Sequence, residues 1–80
     1  PRALICTEAK NDLWANPKGT RFTSRAAGKA FRLLGAEAKN GLHFRDGDHN
    51  LSAADWNAIL EFADWHWFGR QPSDPKRFQP

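Results

Sequence analysis

The sequence predicts a small α/β fold in which two parallel strands alternate with two helices. Three observations support this fold class: an apolar run near the start, an amphipathic helical pattern in the middle, and a capped helix after a short alternating segment. A strand, a crossover helix and a second strand form a βαβ unit, whose two strands run parallel. A chain of 80 residues is long enough for one small domain.

The first strand and the first helix follow from the pattern of apolar residues. Ala3–Thr7 is a nearly continuous apolar run, which is typical of a strand buried on both faces. Cys6 within this run is expected to be a small core residue rather than a reactive thiol. A helix is expected from about Thr20 to Leu34, where apolar residues recur at helical spacing. Gly35 then stands where a left-handed residue commonly ends a helix.

The second strand and the second helix are marked by alternation and by a capping signal. Gly41–Arg45 alternates between apolar and polar residues, as a strand with one buried face does. Ser52 begins a sequence similar to a capping box, and the helix it starts is expected to reach about Trp67. Residues 70–80 are expected to form an extended, proline-containing tail that is partly ordered through Phe78, so the predicted domain covers residues 1–69.

Such a unit is incomplete by itself. Parallel sheets normally have both faces covered, whereas this pattern is expected to leave both sheet edges open and one face without a helix. The chain also carries four Trp and six Phe, and these rings need a large surface to pack against. We therefore expect further strands to come from residues before Pro1 or from other chains, and we favour the first source.

His49 is the first candidate for a catalytic residue. It lies on a short loop that follows the second strand, and ligands of open α/β sheets bind at the carboxyl ends of the strands. Gly47 permits a tight turn before it. A general-base histidine needs one free ring nitrogen and an acceptor at the other. The alternative is a solvent-exposed loop histidine, with Asp46 and Asp48 beside it as solvated carboxylates.

Asp12 is the second candidate, because it follows the first strand by a few residues. Side chains at the ends of adjacent parallel strands lie close together, so its carboxylate is suited to accept a hydrogen bond from the histidine Nδ1. The alternatives are that Asp12 only caps a turn, or that Glu8 is the acid. Trp14 either forms one wall of a carbohydrate site or anchors the loop by packing.

Composition argues against several other functions. Lys and Arg number 12 against 9 Asp and Glu, a net charge of +3, but the basic residues are scattered. They are expected to be solvated surface residues, and nucleic-acid binding is disfavoured. One cysteine and three histidines without ligand spacing predict no intrachain disulfide, no metal site and no cofactor. No membrane segment or signal peptide is visible, and the chain has no Gly-x-Ser-x-Gly motif.

Three stretches of the chain resemble the carboxy-terminal end of α/β-hydrolase esterases, most nearly the glucuronoyl esterases and the related acetyl-xylan-esterase-like carbohydrate esterases. They are Thr7–Thr20, Leu34–Ala36 and Gly41–His49, the last running into Asp55–Trp56 and Phe62–Asp64. The resemblance implies that the two strands are the C-terminal corner of an α/β-hydrolase sheet. It also implies a serine carboxylic-ester hydrolase that acts on glucuronoyl or acetyl esters of carbohydrates.

The resemblance also implies roles for individual residues. His49 is in the position of the general base and Asp12 in that of the acid, although some members take the acid from a different strand. The nucleophilic serine and the oxyanion hole lie outside the chain, so the chain alone is expected to be inactive, and its partners are the remainder of the hydrolase domain and a carbohydrate ester. The resemblance further implies a secreted or periplasmic enzyme without a cofactor.

A competing hypothesis is a small, non-catalytic interaction module. The heavy aromatic content and the missing nucleophile motif favour it. It predicts that the chain oligomerises through an aromatic surface that contains Phe62, Trp65 or Trp67.

Overall fold

The computed structural model describes residues 1–80 and contains two parallel strands and two helices, the mixed α/β architecture expected from the sequence. The main elements are β1 (Leu4–Ala9), α1 (Pro17–Leu33), β2 (Asn40–Arg45) and α2 (Ala53–Phe68). Three short 3₁₀ turns lie between and after them, at Leu13–Ala15, Glu37–Lys39 and Pro75–Phe78. Neither helix combines the length and the apolar character needed to cross a membrane.

The two strands pair in parallel over their whole length. Leu4 lies opposite Asn40, and Ala9 lies opposite Arg45. β1 therefore reaches two residues further than the apolar run predicted, because its last residues continue the ladder beside β2. The expected burial of β1 on both faces is wrong for this chain: most of the strand is half-buried, since it has a neighbouring strand on one side only.

α1 begins three residues earlier than the periodicity predicted. Asn16 has a left-handed backbone (φ 53°), and its side chain accepts a hydrogen bond from the N–H of Gly19 at 3.2 Å. Pro17 occupies the first helical position, where a missing N–H costs nothing and the fixed φ favours the helix. Gly35, with φ 69°, takes the left-handed conformation expected after the helix.

The two helices cover opposite faces of the two-stranded sheet, so the expectation of one face without a helix is wrong. Alternate residues of a strand point to opposite faces. On one face Thr20 of α1 donates a hydrogen bond to Glu8, at 2.7 Å. On the other face Phe62 of α2 lies directly over Gly41, where a Cβ would come within 2.6 Å of Phe62 Cε2. The glycine therefore lets α2 approach the sheet.

The core is a small aromatic cluster on the α2 face. Ala58, Phe62 and Phe78 are buried there, and Trp65 packs against them. The rings of Phe62 and Phe78 meet edge to face with centroids 5.3 Å apart, a favourable geometry for aromatic pairs. Phe78 belongs to the tail, which is therefore not wholly extended, because its ring closes the core.

Two histidines lie partly buried near this core, and both keep a ring nitrogen without a partner. Nε2 of His43, on β2, and Nε2 of His66, on α2, are buried and make no hydrogen bond. Burial lowers the pKa of both imidazoles, because it disfavours the charged form. The charges of Arg77 near His43 and of Lys39 near His66 also lower the pKa.

These depressed pKa values predict that the chain loses stability in mild acid. Below the ordinary histidine pKa of 6.5, the unfolded chain binds protons that the folded chain resists, so the free energy of unfolding falls as the pH falls. It is at its full value above that pH. Urea unfolding at a series of pH values measures the effect. A free energy of unfolding that stays constant from neutral pH well into the acid range would contradict the assignment.

Candidate active site

A histidine and an aspartate meet at the carboxyl ends of the two strands. Asp12 follows β1, His49 follows β2, and the parallel pairing brings both loops to the same edge of the sheet. Nδ1 of His49 lies 2.5 Å from Oδ2 of Asp12. An ionised carboxylate can only accept a hydrogen bond, so this contact requires the proton on Nδ1. The close approach expected from the order of the elements is therefore present.

Backbone hydrogen bonds continue beyond the strands and hold the two loops together. The N–H of Lys10 donates to the carbonyl of Arg45 at 2.9 Å. The N–H of Asn11 donates to the carbonyl of Gly47 at 3.1 Å. Gly47 has φ 115°, a conformation that favours glycine. The loop that carries Asp12 is thus fixed against the loop that carries the histidine.

The two members of the pair differ sharply in exposure. The Asp12 side chain is 9% exposed, whereas the His49 side chain is 88% exposed. Asp12 is a buried acceptor that fixes the tautomer and the orientation of the ring. Nε2 of His49 makes no hydrogen bond within the chain and is open to a neighbouring group. This arrangement suits a general base, which needs one anchored and one free nitrogen.

An open cavity of about 430 Å³ adjoins the pair. Asp12 and His49 both line it, together with Thr7 and Glu8 near the end of β1. No serine or cysteine side chain lines it. A larger cavity of about 680 Å³ lies at the opposite end of β2, beside Asn40, and it contains no histidine–carboxylate pair. The smaller cavity is therefore the candidate site.

Two other candidate residues, Glu8 as the alternative acid and Trp14 as the sugar-binding residue, are not part of the His49–Asp12 pair. Glu8 accepts the hydrogen bond from Thr20 of α1 and makes none with His49, whose Nδ1 contacts Asp12. Trp14 is 99% exposed and does not line the cavity. The interpretation of Trp14 as a packing anchor is wrong within this chain. Asp46 is 93% exposed and pairs with Lys10 at 3.1 Å, as a solvated loop carboxylate.

The sequence interpretation missed Arg45, which it grouped with the solvated basic residues. The Arg45 side chain is only 9% exposed and forms an ion pair with Asp55, which is 2% exposed. Asp55 Oδ2 also accepts from the backbone N–H of Ser52 at 2.9 Å and from its hydroxyl at 3.2 Å. Burial raises the pKa of Asp55, but the hydrogen bonds from Ser52 and Arg45 together outweigh it and hold that pKa below its usual value.

The remaining reactive groups do not form a second site. Cys6 is half-buried, and burial, reinforced by the negative charge of Glu8, raises the pKa of its thiol. The thiolate is therefore disfavoured, as expected of an unreactive thiol, but Cys6 is not part of the buried core. No group of three or more His, Cys, Asp or Glu side chains is positioned to hold a metal ion.

A mixed α/β unit with a histidine–aspartate pair at the carboxyl ends of parallel strands has the features of a site for general-base chemistry. The chain is 33% identical, over 84 aligned positions, to a protein from an unknown prokaryotic organism that is named a carbohydrate esterase. The alignment covers 86% of this chain and 19% of that relative, so the chain spans about a fifth of the relative's length. The chain thus has a carbohydrate-esterase-like relationship. No protein-family model and no solved structure matches it.

Proposed function

We propose that this chain is the carboxy-terminal part of a serine carboxylic-ester hydrolase of the α/β-hydrolase fold that acts on carbohydrate esters. The observation that carries the proposal is the contact between His49 Nδ1 and Asp12 Oδ2, with Nε2 left free beside an open cavity. The similarity to a carbohydrate esterase supports the same class of substrate.

The proposed mechanism assigns one step to each member of the pair. Nε2 of His49 takes the proton from a serine hydroxyl, the serine attacks the ester carbonyl, and the protonated imidazole then gives its proton to the leaving alkoxide. Asp12 stabilises the imidazolium through the Nδ1 hydrogen bond. A water molecule, activated by the same nitrogen, cleaves the acyl-enzyme and releases the acid. The serine and the oxyanion hole belong to the remainder of the hydrolase domain.

Exposed apolar surfaces support the existence of such a remainder. α2 carries a second apolar stripe outside the core, in which Trp56 is 51%, Leu60 59% and Trp67 76% exposed. A helix that is apolar on most of its circumference is typical of the interior of a larger protein. The outer edge of β1 has no partner strand, so its backbone groups are available to extend the sheet.

The exposure of the aromatic residues of α2 weakens the hypothesis of a non-catalytic interaction module. Phe62 is buried and Trp65 is half-buried, so only Trp67 of its three expected interface residues is largely exposed. Arg77, in the proline-containing tail, pairs with Glu61 at 2.9 Å, which leaves one fewer unpaired positive charge for binding a nucleic acid. Trp14 is exposed and directly precedes Ala15, which lines the cavity, so its ring is free to stack on a sugar ring of the substrate.

The test is an ester-hydrolysis assay of the intact esterase, meaning this chain together with the sequence that supplies the nucleophile. Methyl esters of glucuronic acid and acetylated xylan are the two substrates to compare, with simple alkyl acetates as a reference. We expect cleavage of one carbohydrate ester by the intact esterase and none by the chain alone. Absence of activity on all of these esters would count against the proposal, and so would full activity of the chain alone.

A further inference from the structure

The loop that carries His49 is wrapped around the guanidinium of Arg45. Nη1 donates to the carbonyl of Asp46 at 3.1 Å, and Nη2 donates to the carbonyl of Asp48 at 3.1 Å. Nη2 also donates to the carbonyl of Asn50, and Nε donates to the carboxylate of Asp55 at the start of α2. One buried cation therefore binds three alternate carbonyls of the loop and the helix that follows it.

These carbonyls flank His49 on both sides in the chain. Residues 46–52 form no helix or strand, so no regular hydrogen-bond ladder defines their path. Only one bond, from the N–H of Asn11 to the carbonyl of Gly47, ties the loop backbone to the neighbouring loop. The guanidinium thus makes more hydrogen bonds to the loop than any other side chain does.

The backbone of Gly47 lies close to the same guanidinium. Its φ of 115° disfavours any side chain, and a Cβ at this position would lie 2.8 Å from Nη1 of Arg45. The backbone conformation and the nearby guanidinium therefore both favour glycine at this position. The curvature of the loop and the place of the cation depend on each other.

We propose that Arg45 is a positioning residue for His49: its guanidinium fixes the loop so that Nδ1 meets Asp12 and Nε2 faces the nucleophile. The inference rests on the proposed esterase function. Arginine suits this task because its planar fork offers five donors in fixed directions, whereas the lysine ammonium is a single point of charge with three. A lysine at position 45 keeps the charge for Asp55 but cannot reach all three carbonyls at once.

The test is Arg45→Lys in the intact esterase, with Arg32→Lys as the matched control. Arg32 also pairs with one carboxylate, that of Glu37, but on the exposed surface outside the site. We expect Arg45→Lys to lower kcat by about 10²-fold with little change in KM. A loss of this size is typical when a catalytic group is displaced by about 1 Å. We expect the control to retain the wild-type kcat.

The tautomer of His49 gives a readout that a loss of stability alone does not change. Histidine-selective ¹⁵N spectra of the wild type should show the proton on Nδ1, and Arg45→Lys should shift population to Nε2–H. If Arg45→Lys is poorly folded, Gly47→Ala serves instead, since it displaces the loop and leaves Asp55 in place. A wild type without the Nδ1–H tautomer refutes the proposed function. If the wild type has the Nδ1–H tautomer and the variants keep both that tautomer and the wild-type kcat, the role of Arg45 is refuted and the proposed function is not.

Discussion

Replacing His49 with alanine in the intact esterase is expected to lower kcat for ester cleavage by roughly 10⁴-fold. His49 is the exposed member of the pair, so its removal leaves the fold intact while the serine loses its proton acceptor. KM should change little, because the imidazole acts on the reacting proton and not on the bound sugar. Steady-state kinetics on the best carbohydrate ester measure both constants.

Asp46→Asn is the matched control for this variant. It lies on the same loop, its side chain is 93% exposed, and its only ionic partner is Lys10. Exposed pairs of this kind contribute at most about 1 kcal/mol, so activity and stability should stay close to the wild type. A His49→Ala esterase as active as the control would remove His49 from the mechanism.

Asp12→Asn is the second variant with a large expected effect, again roughly 10⁴-fold in kcat. The amide keeps the shape of the carboxylate but carries no charge to stabilise the imidazolium. It also offers an N–H to Nδ1, which favours the wrong tautomer. The measurement is kcat for the same ester, with unfolding by urea as the check that the buried position 12 still folds.

Glu8→Gln tests whether Glu8 or Asp12 is the acid of the proposed mechanism. Glu8 lines the same cavity but hydrogen-bonds to Thr20, so its substitution should affect kcat far less than Asp12→Asn does. A larger loss from Glu8→Gln would identify Glu8 as the acid. Equal, small losses from both variants would indicate an acid supplied by a strand outside the chain.

Much of the fold could be predicted because local signals agree with one another. The apolar run, the alternating segment and the capping residue Ser52 each have one structural interpretation, and together they define the order of elements. That order alone brings the ends of both strands to one edge, so the sequence is sufficient to pair Asp12 with His49. The periodicity does not predict the start of α1 at Pro17, because the first turn is defined by the Asn16 cap and the proline and not by apolar residues.

The parts that could not be predicted depend on contacts that residue patterns do not encode. Arg45 binds backbone carbonyls, which every residue type carries. The pattern of side chains in the sequence therefore does not indicate that Arg45 is buried. Phe78 follows two prolines in a segment without periodicity, so the sequence indicates that this ring orders part of the tail but not that it fills the core beside Phe62. The exposure of Trp14 depends on what lies beside the loop, which local sequence does not specify.

The central claim is that His49 activates a serine that lies outside this chain. A fluorophosphonate probe, which reacts with activated serines, tests it most directly when the labelled peptide of the intact esterase is mapped by mass spectrometry. The account predicts rapid labelling of one serine outside residues 1–80, lost in His49→Ala and retained in Asp46→Asn. Labelling of Ser24, Ser52 or Ser73, or labelling that His49→Ala leaves unchanged, would contradict it.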